Sequence, residues 1–141
     1  VLDGYPIQTA IEVRWNDMDA LGHVNNAVYF SYFEAARVRF FGSLNLVPAR
    51  GDKNMGFNLV ATGCNFRREI RYPDDVVIAS RIVKIGRSCF HFEHGLFAGE
   101  HDTPAADATS VVVWCDFDAR KSVELPDTLR AVLEQYTGAT R

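Results

Sequence analysis

No apolar stretch in this sequence is long enough to cross a bilayer as a helix, and no basic-then-apolar opening resembles a secretion signal. The cytoplasm is therefore the expected compartment. Excess positive charge is missing too. Against 15 Lys and Arg stand 18 Asp and Glu, a formal charge of −3, which removes any overall electrostatic reason to expect a nucleic-acid partner. Cysteine is scarce: Cys64, Cys89 and Cys115 are odd in number, widely spaced and set in strand-like patterns. They fit reduced, buried thiols better than a disulfide framework or a zinc site. No internal repeat or low-complexity tract is present, and 141 residues leave no room for a second core, so residues 1–141 are read as one domain. What the chain has in quantity is apolar: 48% of it is hydrophobic and 10 residues are Phe, enough to fill that core.

A first strand is predicted from Ile7 to Trp15. From Ala27 onward, Val28, Tyr32, Phe33, Ala36, Phe40 and Leu44 recur at three- and four-residue spacing, the mark of one buried helical face. They predict a helix of roughly 17 residues, with Asn25 or Asn26 as its N-cap. Residues 48 to 58, containing Pro48, Gly51, Asp52, Asn54, Gly56 and Asn58, read as a loop with a short turn of helix. Strands are predicted over 58 to 72, 76 to 86, 88 to 98 and 107 to 117, rich in β-branched and aromatic residues and separated by YPDD, the Gly86 region and Gly99 to Pro104. A short SVEL strand then leads to LPDTLRAVLEQY, a small amphipathic helix expected to be capped by Asp127 and to end near Gly138. One long helix beside an antiparallel sheet of five or six strands gives an α+β layer arrangement.

The chemistry concentrates in residues 17 to 29, DMDALGHVNNAVY. The first turn of the long helix carries backbone N–H groups with no intrahelical partner and the positive end of the helix dipole, so it suits an anion or a polarised carbonyl oxygen. Asp19 lies just upstream, and Gly22 permits the sharp fold that brings a carboxylate and the helix amides into one small volume. Such a geometry points to attack at a carbonyl.

This block, and the order of elements after it, resembles the hot-dog-fold acyl-CoA thioesterases of the 4-hydroxybenzoyl-CoA thioesterase type, nearly end to end. The resemblance implies that Asp19, seven positions before the key amide, acts on a thioester as nucleophile or as base for water. It also implies that the backbone N–H of Asn26 polarises the carbonyl and that Glu34 is the acidic residue inside the helix. GHVNN followed by Tyr29 is similar to a branch acting on fatty acyl-CoA or acyl-carrier-protein thioesters, with no metal or redox cofactor. The family further implies a homodimer whose sheets join edge to edge, with substrate between protomers, and dimers that pair into tetramers. Tyr29 is then a candidate for the acyl channel, whereas Phe33 is read as core.

Each candidate has a duller alternative. Asp19 accepts local backbone bonds in many turns of this kind, and Asp17, nine residues before Asn26, is read as a structural turn or strand-end residue. His23 is either an acid or base or a positioning group, and Asn25 either orients water or thioester or caps the helix. Glu34 and Arg37 are also readable as a helix-surface pair at three-residue spacing. Arg67, Arg68 and Arg71 fall along one predicted strand, but Arg87 and Ser88, at a turn, are the preferred contacts for the phosphates of CoA. His91, Glu93 and His94 resemble a metal cluster only superficially, since His91 and His94 point to opposite faces of a strand. Two other activities suit the same features. One is hydration or dehydration of an enoyl or hydroxyacyl thioester, and the other is non-catalytic binding of acyl-CoA by a dimer.

Overall fold

The computed structural model describes residues 4–44 and 54–138. Its first strand, β1 (Ile7–Glu12), ends earlier than predicted because the chain turns at Trp15–Asp17 into one turn of 3₁₀ helix, locked where the Asp17 carboxylate receives the Arg14 backbone N–H. The long helix α1 (Asn26–Ser43) follows, with Asn25 resolved as its N-cap through a 2.8 Å bond from the Ala27 N–H. Of the face predicted for it, Tyr32, Phe33, Ala36 and Phe40 are buried, while Val28 and Leu44 are half-buried. The predicted loop over 48 to 58 lies partly outside the described residues, including Pro48, Gly51 and Asp52. Where it is described it is largely strand, since β2 (Met55–Phe66) begins at Met55 and pairs at once with the end of a later strand. Phe57 accounts for that early start, stacking on Phe41 at 4.3 Å and meeting Trp114 at 5.0 Å.

Strands β3 (Asp75–Ile85), β4 (Cys89–Ala98) and β5 (Ala106–Asp116) form a meander close to the predicted bounds. The SVEL strand shrinks to a two-residue β6 (Lys121–Ser122) beside the end of β5. The closing helix α2 (Asp127–Glu134) has Pro126 at its N-cap and no side-chain cap bond, so Asp127 stands in the first turn and complements the dipole there. The antiparallel sheet runs β1-β3-β4-β5-β2, with β6 on β5. Where β1 runs out, the Ile82 N–H is taken by the Tyr136 carbonyl. β2 ends at Phe66, so Arg67, Arg68 and Arg71 do not lie along a strand: the Arg67 and Arg68 N–H groups both donate to the Ala105 carbonyl, which takes the chain out of the ladder.

Both helices pack on one face of the sheet, and the core beneath them falls into two apolar clusters. One gathers Tyr29, Phe33 and Ala36 with Val76, Ile78 and Leu96. The other gathers Phe40 with Ile82, Phe92, Trp114, Leu129 and Leu133. Between them runs a polar layer. His94 Nδ1 lies 2.7 Å from the Ser80 hydroxyl, His94 Nε2 lies 3.0 Å from the Ser110 hydroxyl, and Arg37 donates to Ser110 at 3.0 Å. The β4 alternation is as read, with His94 inside and His91 and Glu93 on the other face. β2 breaks the same alternation: its register against β5 shifts between Leu59 and Ala61, leaving Val60 as an extra residue.

Burial, reinforced by Arg37, holds the His94 imidazole down at about 3, so it is neutral in the fold. Unfolding releases it to ordinary titration near 6.5. Its contribution to stability is therefore whole above pH 6.5 and is lost as the pH falls toward 3. Urea unfolding at pH 7 and pH 5 should show a loss of about 2 kcal/mol from this group. His94→Gln should be less stable at pH 7 but have a flatter slope between the two.

Candidate active site

The residues around the start of α1 are positioned by a chain of short-range bonds. Asp17, 2% exposed, receives the Arg14 guanidinium at 2.9 Å and the Tyr32 hydroxyl at 2.7 Å, which ties the exit of β1 to the second turn of α1. Burial opposes its charge, but the Arg14 N–H, the Tyr32 hydroxyl and the Arg14 guanidinium outweigh burial and hold the carboxyl below its ordinary value. The segment from Asp19 to His23 then closes on itself. The Gly22 N–H donates to the Asp19 carbonyl at 3.0 Å and the Asp19 N–H donates to the His23 carbonyl at 3.2 Å. Gly22 adopts φ +84°, the left-handed conformation that only glycine takes without strain. The Val24 N–H reaches across to the Ile70 carbonyl and the Asn25 N–H returns to the Asp17 carbonyl, setting the direction in which α1 departs.

The Ala27 and Val28 N–H groups of the first turn are satisfied by Asn25, through its side chain and its carbonyl respectively. The Asn26 N–H has no hydrogen-bond partner among the described residues. Asn26 borders a cavity of about 170 Å³ shared with His23, Tyr29, Phe66, Arg67, Arg68 and Glu69. An open amide at the positive end of a helix, on a residue that borders a small cavity, is equipped to receive a carbonyl oxygen that is gaining negative charge.

The other predicted residues divide. His23 sits on the cavity with Nδ1 3.3 Å from the Val24 carbonyl, an arrangement in which Nδ1–H donates, and with Nε2 3.9 Å from a Glu69 oxygen. Tyr29 also lines it, buried, with its ring edge-on to Phe66 at 5.0 Å and its hydroxyl donating to the Arg68 carbonyl. Asn25 is engaged as the cap. Asp19 is half-buried and does not line the cavity; its Oδ1 accepts the Leu21 N–H at 2.9 Å, while Oδ2 has no partner among the described residues. Glu34 lies two turns along α1, on a second cavity of about 520 Å³ walled by Arg37, Val38 and Phe41 from the helix and by Phe57 and Leu59 from β2. Each cavity takes wall residues from α1 and from β2.

Arg87 and Ser88 stand apart. They occupy the β3–β4 turn, where the Ser88 carbonyl accepts the Trp114 N–H and the Arg87 carbonyl accepts the Leu125 N–H. Along β4 this is about 23 Å from the end of the sheet that meets Asn26, at the usual rise per residue. Within one protomer they are not brought to the amide. The three arginines after β2 are committed locally, Arg67 to Asp107, Arg68 to Thr103 and Arg71 to Glu69. Phe66 and Glu69 were not among the candidates, although both line the small cavity. The extra residue at Val60 hides Phe66 from a simple reading of strand alternation. Arg37 is no surface residue: it is 7% exposed and forms no ion pair with Glu34.

Comparison with known proteins extends this geometry. The family model described as the thioesterase-like superfamily matches residues 13–133. The long-chain acyl-CoA thioesterase FadM of Escherichia coli is 28% identical over 129 residues, covering 92% of this chain and 98% of that protein. The chloroplastic acyl-acyl carrier protein thioesterase ATL3 of Arabidopsis thaliana is 26% identical over 127 residues, and there the match covers 88% of this chain but 65% of the relative. A crystal structure of a Thermus thermophilus thioesterase, complexed with coenzyme A and Zn, superposes with a TM-score of 0.80 at 31% identity, covering 95% of this chain and 96% of that one. The chain belongs to the thioesterase-like superfamily and is a thioester hydrolase built on the hot-dog fold.

Proposed function

We propose that this protein hydrolyses an acyl thioester of CoA or acyl carrier protein, with the Asn26 N–H polarising the carbonyl and Asp19 acting on its carbon. The unpartnered Asn26 amide, on a residue that borders a cavity at the amino end of α1, carries this reading. A thioester carbonyl seated there has its oxygen against the N–H and the helix dipole. Charge developing on that oxygen is stabilised by a donor that needs no rearrangement, an effect worth about 3 kcal/mol.

Asp19 is anchored by one oxygen on the Leu21 N–H, and its other oxygen is the one available for chemistry. In one route that oxygen attacks the carbonyl carbon, the C–S bond breaks, the thiolate leaves to be protonated by solvent, and water then cleaves the resulting anhydride. In the other, it takes a proton from water as the water oxygen attacks, and the collapsing tetrahedral adduct expels the thiol. Both end in a free acid and a thiol. His23, with Nδ1–H held by the Val24 carbonyl, serves to position the entry to the amide.

The working unit in this proposal is a homodimer. β2 is an edge strand of 12 residues with β5 on one side, and Leu59, Val60 and Phe66 are exposed along it. An exposed apolar edge of that length is a template for another strand. Antiparallel pairing of two β2 edges about a two-fold axis sets the Met55 end of one copy beside the Phe66 end of the other. The β3–β4 turn lies at the Met55 end of each sheet, so the partner's Arg87 and the partner's Ser88 approach the Asn26 cavity and its CoA phosphates. Pairing of this kind would shorten the separation found within one protomer.

Asp19→Asn should keep the fold by circular dichroism while lowering kcat by about 10²–10⁴-fold in a thiol-release assay with acyl-CoA and acyl-carrier-protein substrates; near-native turnover would remove Asp19 from the mechanism. Val60 is the extra residue of the β2 irregularity, lacks a register partner on β5 and is exposed on the edge strand, so Val60→Pro falls where the ladder is already interrupted and disfavours pairing of that edge with another strand. Sedimentation should show Val60→Pro shifted from dimer toward monomer, with hydrolysis falling alongside. A wild-type protein that sediments as a fully active monomer would refute the shared site.

A further inference from the structure

Two charged side chains are buried among the described residues, Asp17 and Arg37. Asp17 is neutralised by Arg14. Arg37 is not: its one hydrogen bond goes to the neutral Ser110 hydroxyl, and no carboxylate of the described residues lies within ion-pair distance. Beyond Ser110 stands His94, also neutral, so the layer behind the guanidinium supplies no counter-charge. Nε and Nη2 of Arg37 have no partner among the described residues and neither is fully enclosed, and the residue lines the 520 Å³ cavity. Phe41, Phe57, Leu59, Val112 and Trp114 give this cavity apolar walls, with Glu34 and Asn58 as its other polar side chains. The Glu34 charge acts on Arg37 from beyond ion-pair distance, so the buried guanidinium is still held at a desolvation cost that an anion arriving with the ligand offsets further.

We propose that Arg37 selects acyl groups carrying a carboxylate at the end remote from the thioester, which makes the groove between α1 and β2 a site for ω-carboxyacyl thioesters. This rests on the hydrolase reading for where the thioester end lies. Arg37 follows Asn26 by eleven residues of α1, about 16 Å along the axis, and a helical side chain leans back toward the amino end. An extended chain of about ten carbons bridges the Asn26 N–H and the guanidinium on that scale. The planar fork of arginine receives a carboxylate through two parallel N–H groups, which a methyl end cannot use. Glu34 borders the same cavity but is exposed and screened by water, so it weakens this preference without cancelling it.

The test pairs the mono-CoA thioester of decanedioate with decanoyl-CoA, and free decanedioate with decanoate in titration calorimetry, where no turnover is needed. In wild type, kcat/KM for the carboxylated thioester should exceed that for decanoyl-CoA by about tenfold or more. Calorimetry should likewise show tighter binding of decanedioate. Arg37→Met should abolish both preferences, Arg37→Lys should retain part of them, and Glu34→Gln should enlarge them. Should Arg37→Met fail to fold, the Lys and Gln variants and the wild-type ratio still decide. Hydrolysis of both thioesters with no preference, and equal binding of the two acids, overturns the role of Arg37 and leaves the hydrolase intact. Arg37-dependent binding of decanedioate without hydrolysis of either thioester supports the anion site and refutes the hydrolase reading.

Discussion

A single enclosed carboxylate, that of Asp17, joins the parts from which the site is made. Its oxygens receive the backbone and guanidinium of Arg14 and the hydroxyl of Tyr32, while its own carbonyl receives the Asn25 N–H. Strand exit, turn and helix start therefore share one anchor, and none of them can shift without leaving a buried charge or a buried donor unmet. Close control of this kind is what an oxyanion site requires, because a donor misplaced by about 1 Å loses much of its effect at the transition state. The anchor does no chemistry itself. It makes the Asn26 amide and the Asp19 turn rigid relative to each other.

The polar layer through the core has a different character. Ser80, His94 and Ser110 lie on three adjacent strands and Arg37 descends from α1, dividing the apolar interior into two halves. A uniformly apolar layer of the same shape would be at least as stable. The cost is intelligible if the layer serves the groove above it, since Arg37 is at once the top of this layer and part of the cavity wall. Core and binding surface are then one structure, and the identity of residues deep in β4 and β5 bears on what the groove accepts.

Much of this was legible from residue pattern alone, for physical reasons that also mark its limits. The long helix was readable because its aromatic stripe has the helical period, and the meander because β-branched runs are cut by turn residues. The start of α1 is legible because Asn25 has the residue type of an N-cap just before the apolar period begins. The surface-pair alternative for Arg37 fails because a spacing of three from Glu34 says nothing about which side of the helix is roofed over. Asp127 was misplaced as a cap because Pro126 already supplies the extended conformation before α2. The arginines after Phe66 were taken as strand because local composition does not reveal the Ala105 carbonyl that draws them out of the sheet. The remoteness of Arg87 and Ser88 from Asn26 depends on strand order, which sequence spacing does not encode.

The extra residue in β2 reaches further than its size suggests. Before it, Phe57 and Leu59 share a face with Trp114 and Val112; after it, Thr62, Cys64 and Phe66 share that face with Ser110, Ala108 and Ala106. Straightening β2 with Val60 kept and the later pairing held would set Val60 against Val112 and Asn58 against Trp114, turning Phe57 and Leu59 to the opposite face and trading the aromatic and aliphatic rim near Trp114 for valine and asparagine. A lineage in which β2 pairs without this irregularity would thus exchange one wall of its groove in a single step, with the amino end of α1 left as it is.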